Sequence, residues 1–334
     1  MRAGDAAQGR RMRAILISLT LASCVGPWCA ALAQEAEPFR TRNLSPAIAI
    51  FGLPAWEGVT AERVFTAMTE VANHYRLSQR GADTLILDGE TTRVNLFYSR
   101  PLGERWAVSA ELPVVYQSGG ILDDAIDAWH SAFRMPDGGR NNRPEDELLF
   151  VLARHAQPFY RLDDNGQGFG DLQVSIARRL AGDRFVARAS VKIPTGRESI
   201  LAGSGARDWS LTLLRPRAAM LRGGRTAGYF WGVGVLALGE PERIVFTAKN
   251  RAIVGILGGS LKVLPKIGIK TQIDVHSAMY DTPLEELGQD AVLATIGGWW
   301  EAGQRIRLDF AVSEDLHVST APDVVLHLAL RWQW

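Results

Sequence analysis

The chain has 334 residues, with 37 Lys and Arg against 36 Asp and Glu, and a formal net charge of +1. A near-neutral balance offers nucleic acid no electrostatic footprint, so no nucleic-acid partner is expected. Its only two cysteines, Cys24 and Cys29, fall within the first 33 residues. The rest of the chain therefore has no disulfide framework, cysteine metal site or cysteine nucleophile.

Arg10, Arg11 and Arg13 precede an apolar run from Ala14 to about Val25, and Ala31-Leu32-Ala33 is a small-x-small site. That order reads as a cleaved secretory signal peptide over residues 1–33. A competing reading takes Leu21-Ala22-Ser23-Cys24 as a lipobox, with Cys24 as a lipidated first residue. The leader's four arginines against Asp5 carry +3, so the remainder lies near −2. Residues 34–62 come next, as a periplasmic segment. With Phe39, Phe51, Pro54 and Trp56 it is too apolar for a floppy tail. It is expected to fold as a plug into the periplasmic mouth of the domain formed by residues 63–334.

Beyond the leader no run approaches the roughly 20 apolar residues of a spanning helix. Residues 63–334 instead read as segments of alternating apolar and polar residues, the signature of a transmembrane barrel. The clearest are Trp106–Tyr116, Phe185–Ile193, Ile267–Val275 and Ile306–Val312. Short turns are expected at Pro101–Glu104, Ala181–Asp183, Leu221–Gly224, Leu264–Lys266 and Glu301–Gln304. Longer connections are expected near 78–90, 117–168, 196–206, 239–250, 281–290 and 315–322. Bacterial barrels keep short turns periplasmic and long loops outside. Strict alternation of the two therefore gives an all-β, antiparallel barrel of about 12 strands with both termini periplasmic. Leu148–His155 and Phe159–Leu162 would break the alternation as spans, so they read as a hairpin inside the long, partly structured loop 117–168. Fourteen strands is the alternative count.

The chain closes on Val324 to Trp334, where Leu326, Leu328, Leu330, Trp332 and Trp334 alternate with small or polar residues. Such an aromatic ending resembles the closing strand of bacterial outer-membrane barrels, with its signal to the barrel-assembly machinery. Outer-membrane lipid would then cover the apolar face.

Within loop 117–168, the run Trp129-His130-Ser131-Ala132-Phe133-Arg134-Met135-Pro136-Asp137-Gly138-Gly139-Arg140-Asn141-Asn142-Arg143-Pro144 resembles the signature of the DUF3187 family. Gly168-Phe169-Gly170-Asp171-Leu172 and Lys192-Ile193-Pro194-Thr195-Gly196 are also similar to that group and to phenol meta-pathway transporter-like barrels. The resemblance implies a Gram-negative outer-membrane barrel and no established activity. By their chemistry alone the motifs are turn and strand-end devices: Gly frees the backbone, Asp caps nearby amides, and Pro cannot donate to a ladder.

Residues opposite the apolar stripes give the expected lumen lining: Arg93, Asn95, Glu111, Arg188, Lys192, Lys270, Gln272, Asp274, His276, Arg305, Arg307, Asp309, His327 and Arg331. Bases outnumber acids there, which would favour anions. The competing reading is that these charges pair and lock the interior, since an Arg or Lys facing lipid at midplane costs about 2–4 kcal/mol.

An enzyme is the weakest expectation. His276-Ser277 are strand neighbours on opposite faces, and no Gly-x-Ser-x-Gly elbow is present. His74, near the outer rim, could meet a serine across the barrel. Asp163-Asp164-Asn165-Gly166 lacks EF-hand spacing and reads as a solvated turn; no cofactor is implied. The leading expectation is a narrow channel or binding barrel for a small anionic or amphipathic solute. The alternatives are an envelope-interaction barrel acting through loop 117–168, and a lipid hydrolase or acyltransferase.

Overall fold

The structure is a computed structural model that describes residues 37–120, 147–221, 225–316, 320–322 and 324–334. The leader, and the whole family-like segment from Trp129 through His130, Phe133, Pro136, Asp137, Gly138, Gly139, Arg140, Asn141 and Arg143 to Pro144, lie outside these residues.

The chain enters the barrel with β1 (Val64–Arg80), β2 (Asp83–Leu102) and β3 (Trp106–Ser118). The excursion before the next span holds β4 (Leu149–Arg154), β5 (Gln157–Leu162) and β6 (Gly166–Phe169). Then come β7 (Leu172–Leu180), β8 (Phe185–Ile193), β9 (Asp208–Met220) and β10 (Thr226–Ala237). After β11 (Thr247–Ala248) run β12 (Arg251–Leu264) and β13 (Ile267–His276). Last are β14 (Tyr280–Asp281), β15 (Ala291–Glu301), β16 (Ile306–Asp315) and β17 (Val324–Gln333). Twelve of these form the wall, antiparallel throughout, and β17 closes it on β1 from Val64↔Gln333 to Asn73↔Val324. Closure leaves no unpaired wall edge for lipid to meet, which a spanning sheet requires.

Side-chain alternation is strict in the wall. Along β13, Ile267, Ile269, Ile273 and Val275 are outward and exposed, while Lys270, Gln272, Asp274 and His276 are inward and buried. Along β17, Leu326, Leu328, Leu330 and Trp332 face out, with His327, Ala329 and Arg331 facing in. The surface is thus apolar and the interior polar, the inverse of a water-soluble sandwich, so this is a transmembrane barrel. Trp332 stacks on Trp334 at 4.6 Å between ring centroids, with Tyr98 6.3 Å from Trp334. These rings form an interfacial belt at the end where the turns are short. In bacterial barrels the short-turn end is the periplasmic one.

One connection differs from expectation. Residues 78–90 are no loop: β1 and β2 continue as one hairpin, paired from Val64↔Ser99 to Arg80↔Asp83, around Gly81 at φ +58°. Polar residues there look like loop in one dimension, but they pair across the hairpin. β2 gains a second partner too, pairing with β3 from Glu90 down and with β4 from Asp83 to Asp88. Gly89 sits at the switch with φ +135°, where a Cβ would come 2.8 Å from the Ser118 carbonyl oxygen. In the second excursion, β4 and β5 form the projecting hairpin that parity demanded, turning on His155 and Ala156 at φ +52° and +59°. Two adjacent residues of positive φ are the type I′ geometry of a tight hairpin. β6 and β7 pair with β3 as one strand interrupted at Gly170-Asp171, where Gly170 N–H donates to the Pro113 carbonyl at 2.8 Å.

Candidate functional site

The site is the lumen, and the chain's own N-terminal segment runs through it. Phe39 N–H donates to Gln272 Oε1 at 2.8 Å, Thr41 Oγ1 to Asp274 Oδ2 at 3.1 Å, and Asn43 Nδ2 lies 2.9 Å from His276 Nε2. Steps of two on the segment meet steps of two on β13 because both backbones are extended and show alternate side chains to each other. Asn43 Nδ2 also reaches the Thr320 carbonyl, beyond the outer end of β16. The segment turns over in a short helix, Pro46–Ala49, whose Ala47 carbonyl accepts from Tyr280 Oη at 2.8 Å.

It then descends past the opposite wall. Gly52 N–H donates to Asp208 Oδ2 at 2.7 Å, Arg188 Nη2 lies 3.3 Å from Glu57 Oε2, and Arg179 Nε donates to the Val59 carbonyl at 3.1 Å. Trp56 packs on Gly232 of β10, where an added Cβ would meet the indole at 2.5 Å. The expected plug at the periplasmic mouth is therefore too short a description: residues 37–59 climb to the outer mouth and return before β1 begins.

Two kinds of packing hold this hairpin. At the outer end, Ile48, Ile50 and Phe51 join an apolar cluster with Leu85, Phe150, Met279, Leu284 and Leu287. At mid-depth the ascending limb is held by ion pairs, while Trp56 and Val59 carry the apolar cluster down the opposite wall with Leu214, Phe230 and Ile256. Arg40 lies 3.2 Å from Glu57 and 2.5 Å from Glu111, and Arg42 bonds the other Glu111 oxygen. Arg188 pairs with Glu57 at 3.3 Å. A small cavity of about 10 Å³ lies among Arg40, Glu57, Glu111, Arg188 and Ser109. Another, about 40 Å³, lies at the short-turn end against β1, β16 and β17.

The residues singled out from alternation mostly converge here. Arg93 Nε donates to Asn95 Oδ1 at 2.8 Å, and Asn95 Nδ2 to Glu70 Oε2 at 2.6 Å. Lys270 Nζ stands 4.2 Å from the centroid of Phe39 and 5.6 Å from that of Trp299, a cation between two ring faces. Arg307 pairs with Asp309 at 2.6 Å. Arg305 is the exception: it lies exposed in the turn before β16, where alternation no longer applies. The expected basic excess is offset as well. Alternation found Glu111 and Asp274 but passed over Glu57, Glu70, Asp171 and Asp208, all buried. Glu57 and Asp171 lie outside the strands, and Glu70 and Asp208 carry no signal beyond their parity.

The two glycine motifs meet at the outer rim. Asp171 Oδ1 accepts from Thr195 and Gly196 N–H at 3.1 and 2.8 Å. Its Oδ2 accepts from Lys192 Nζ at 2.6 Å and from Ser204 N–H at 3.1 Å. Lys192 also bonds the Ala206 carbonyl and lies 3.2 Å from Asp208. One carboxylate thereby ties β7, the end of β8 and the loop after it together.

A serine–histidine pair does occur, though not at His74, whose Nε2 lies 2.8 Å from Thr91 Oγ1. Ser313 Oγ is 2.8 Å from His327 Nε2, and His327 Nδ1 is 3.0 Å from Glu70 Oε1. The last contact is close but too poorly aligned for a hydrogen bond. Ser313 Oγ is also 2.6 Å from Thr295 Oγ1, and the residue is 1% exposed. It is a cross-strand polar belt rather than an accessible nucleophile. Among the described residues, no three His, Cys, Asp or Glu side chains are grouped to hold a metal ion.

A closed twelve-stranded barrel with an apolar coat, and a lumen threaded by its own N-terminal segment, defines a transmembrane β-barrel of the outer-membrane type. The model of a family described as a protein of unknown function, DUF3187, matches residues 14–334, and the chain belongs to that family. No curated protein matches the chain. Among solved structures it is similar to the COG4313 outer membrane channel from Pseudomonas putida F1, at 12% identity over 85% of this chain and 98% of that one, with a TM-score of 0.47. The P. putida toluene transporter TodX shows 9% identity over 83% and 91%, with a TM-score of 0.38. The CymD monoaromatic hydrocarbon channel also shows 9%, over 91% and 97%, with a TM-score of 0.38.

Proposed function

We propose that this protein is exported through its cleaved leader to the Gram-negative outer membrane and there forms a narrow channel for a small amphipathic solute. Residues 37–62 form the constriction. The observation that carries the reading is how the ascending limb is held at mid-depth: by Arg40 and Arg42 on Glu57 and Glu111, with Arg188 on Glu57. Directional polar contacts can be exchanged for those of a passing solute, and cavities already flank the segment. Arg93, Asn95, Glu111, Arg188, Lys192, Lys270, Gln272, Asp274, His276, Arg307, Asp309, His327 and Arg331 would line the path. A barrel of 12 strands lies between those filled by side chains and those with open aqueous pores, so a threaded segment suffices to close it.

Reconstitution in planar bilayers tests this. The full chain should show small or rare openings, and deleting residues 38–60 should raise single-channel conductance several-fold. An unchanged trace from a folded deletion variant would sink the plug. Should the deletion not fold, Arg42→Gln with Glu111→Gln loosens the same segment and should raise opening frequency. A second reading, an envelope-interaction barrel, draws on the packed outer cap where β4 and β5 join the loop around Tyr280 and Leu284. It predicts no solute-dependent current from either variant.

A further inference from the structure

The lipid-facing coat of the barrel is not uniformly apolar. Four arginines face outward along the arc from β2 through β3, β7 and β8 to β9, in the half of the wall next to the short turns. Arg100 of β2 is exposed in the same outward series as Leu96 and Tyr98. Arg178 of β7 is exposed opposite Trp106, with its guanidinium 4.9 Å from the centroid of that ring. On β9, Arg215 pairs with Trp231 and Arg217 with the exposed Tyr229. Directly paired residues share a face of the sheet, so both arginines look out. Arg215 stands 5.2 Å from the centroid of Phe185, whose ring meets Trp231 edge-on at 6.0 Å.

Among the described residues none of these four arginines has an acidic partner, and Glu104 and Asp183 in the adjoining turns are exposed and form no ion pair. The rest of the coat differs. On β13, β15, β16, β17 and β1 the outward residues in the same half are uncharged, as at Ile269, Trp300, Phe310, Leu330 and Phe65. A lipid-facing arginine is costly at mid-membrane and tolerated near the interface. The neighbouring rings mark that interface, because Trp and Tyr gather at head-group level. Toward mid-membrane the same faces continue in Ile176, Leu211 and Val233, all exposed. A one-sided set of cations at head-group depth, above a bare apolar wall, complements an anion that carries apolar chains.

We propose that this arc of the wall binds an anionic phospholipid of the leaflet at the short-turn end. Its phosphate sits over Phe185 between Arg178 of β7 and Arg215 of β9, strands two apart in a sheet lying about 10 Å from each other. Arg217 meets the remainder of the head group, and Ile176, Leu211 and Val233 carry the acyl chains. Contact with Trp106 and Phe185 holds the two guanidiniums against the wall at that depth. In the outer-membrane reading the short turns stand in the phospholipid leaflet, which selects phospholipid over lipopolysaccharide as the occupant. The site lies on the coat and does not depend on whether the lumen conducts.

The probes are phosphatidylglycerol and phosphatidylethanolamine with identical acyl chains, offered in equal amounts to the full chain in detergent micelles. Native mass spectrometry counts the lipids retained. The natural chain should prefer phosphatidylglycerol by about tenfold or more, since each basic residue near an anionic head group contributes several-fold. Arg178→Gln, Arg215→Gln and Arg217→Gln combined should erase the preference. Equal charge removed from exposed positions at the outer end, by Arg207→Gln, Arg243→Gln and Arg251→Gln combined, should leave it unchanged. Inorganic phosphate, having no chains for the apolar wall, should not displace the lipid. Heat-modifiable gel mobility reports whether each variant is a folded barrel. Equal retention of the two lipids by the natural chain overturns the proposal, as does a folded short-turn triple variant that keeps the preference. Loss of preference in the outer-end triple variant, displacement by phosphate, or tighter retention of lipopolysaccharide overturns it too. If the short-turn triple variant does not fold, Arg215→Gln alone decides: a several-fold drop supports the site and no drop overturns it. Conductance is scored separately. Lipid preference without any current removes the channel and keeps the site; current without preference removes the site alone.

Discussion

At the outer end of the lumen, Ile48, Ile50 and Phe51 sit among Phe150, Met279, Tyr280 and Leu284, nearly all of them excluded from solvent. At mid-depth and below, the ascending limb is held instead through Arg40, Arg42 and Glu37 on carboxylates and an arginine, while Trp56 and Val59 extend the apolar contact down the other wall. The outer contact is close-packed and indifferent to direction, so it seals. The ionic contact is directional, and its strength depends on each charge keeping its partner. A single hairpin of chain thus works as a lid at one end and as an exchangeable filler at the other.

That contrast can be broken most severely at Trp56, which fills the space opposite Gly232. Trp56→Ala should cost about 3–5 kcal/mol through the void it leaves. Denaturant unfolding in lipid would show it as a lowered midpoint. Glu111→Gln comes next. It leaves Arg42 without its carboxylate and Arg40 with Glu57 alone, and a broken buried pair costs about 3 kcal/mol. A loss no larger than that of the exposed pair Arg80–Glu285, whose side chains are 58% and 40% exposed, would mean that water already screens the interior. The distinction between the two ends would then fall. Tyr280→Phe removes the hydroxyl bond to the Ala47 carbonyl but keeps the ring. The expected loss is about 1 kcal/mol, with the outer seal intact in conductance.

The smallest effect lies in the outer loops. Burial, and then the neighbouring Glu242 carboxyl, raise the Glu198 pKa above its usual 4.5. A raised carboxyl pKa means that the folded loop holds the extra proton. Its stabilisation is present below that value and is lost as pH rises through the folded pKa. Hydrogen exchange over 196–206, corrected for intrinsic rates, should therefore quicken as pH rises from 4.5. Glu242→Gln should flatten that dependence, and an unaltered profile would remove the carboxyl pair as its cause.

Legibility tracked the range of the interaction. Leu326, Leu328, Leu330, Trp332 and Trp334 announced a closing strand because outward and inward faces alternate locally. The projecting β4–β5 hairpin came from parity alone. The hairpin through 78–90 did not, because Ser78, Gln79 and Thr84 are loop-like until each has a partner across the turn. Arg305 failed for the reverse reason: alternation was extended one step past the end of its strand.

By itself, the sequence determined a twelve-span barrel, the end that carries its short turns and the polarity of each face, since a two-residue period and turn lengths are written along the chain. Tertiary structure alone decided that residues 37–59 thread the lumen and that Asp171 gathers both glycine motifs. Phe39 and Gln272 are 233 positions apart, as are Asn43 and His276. Pairings at that distance leave no local pattern; only closure of the barrel brings such residues within reach of one another.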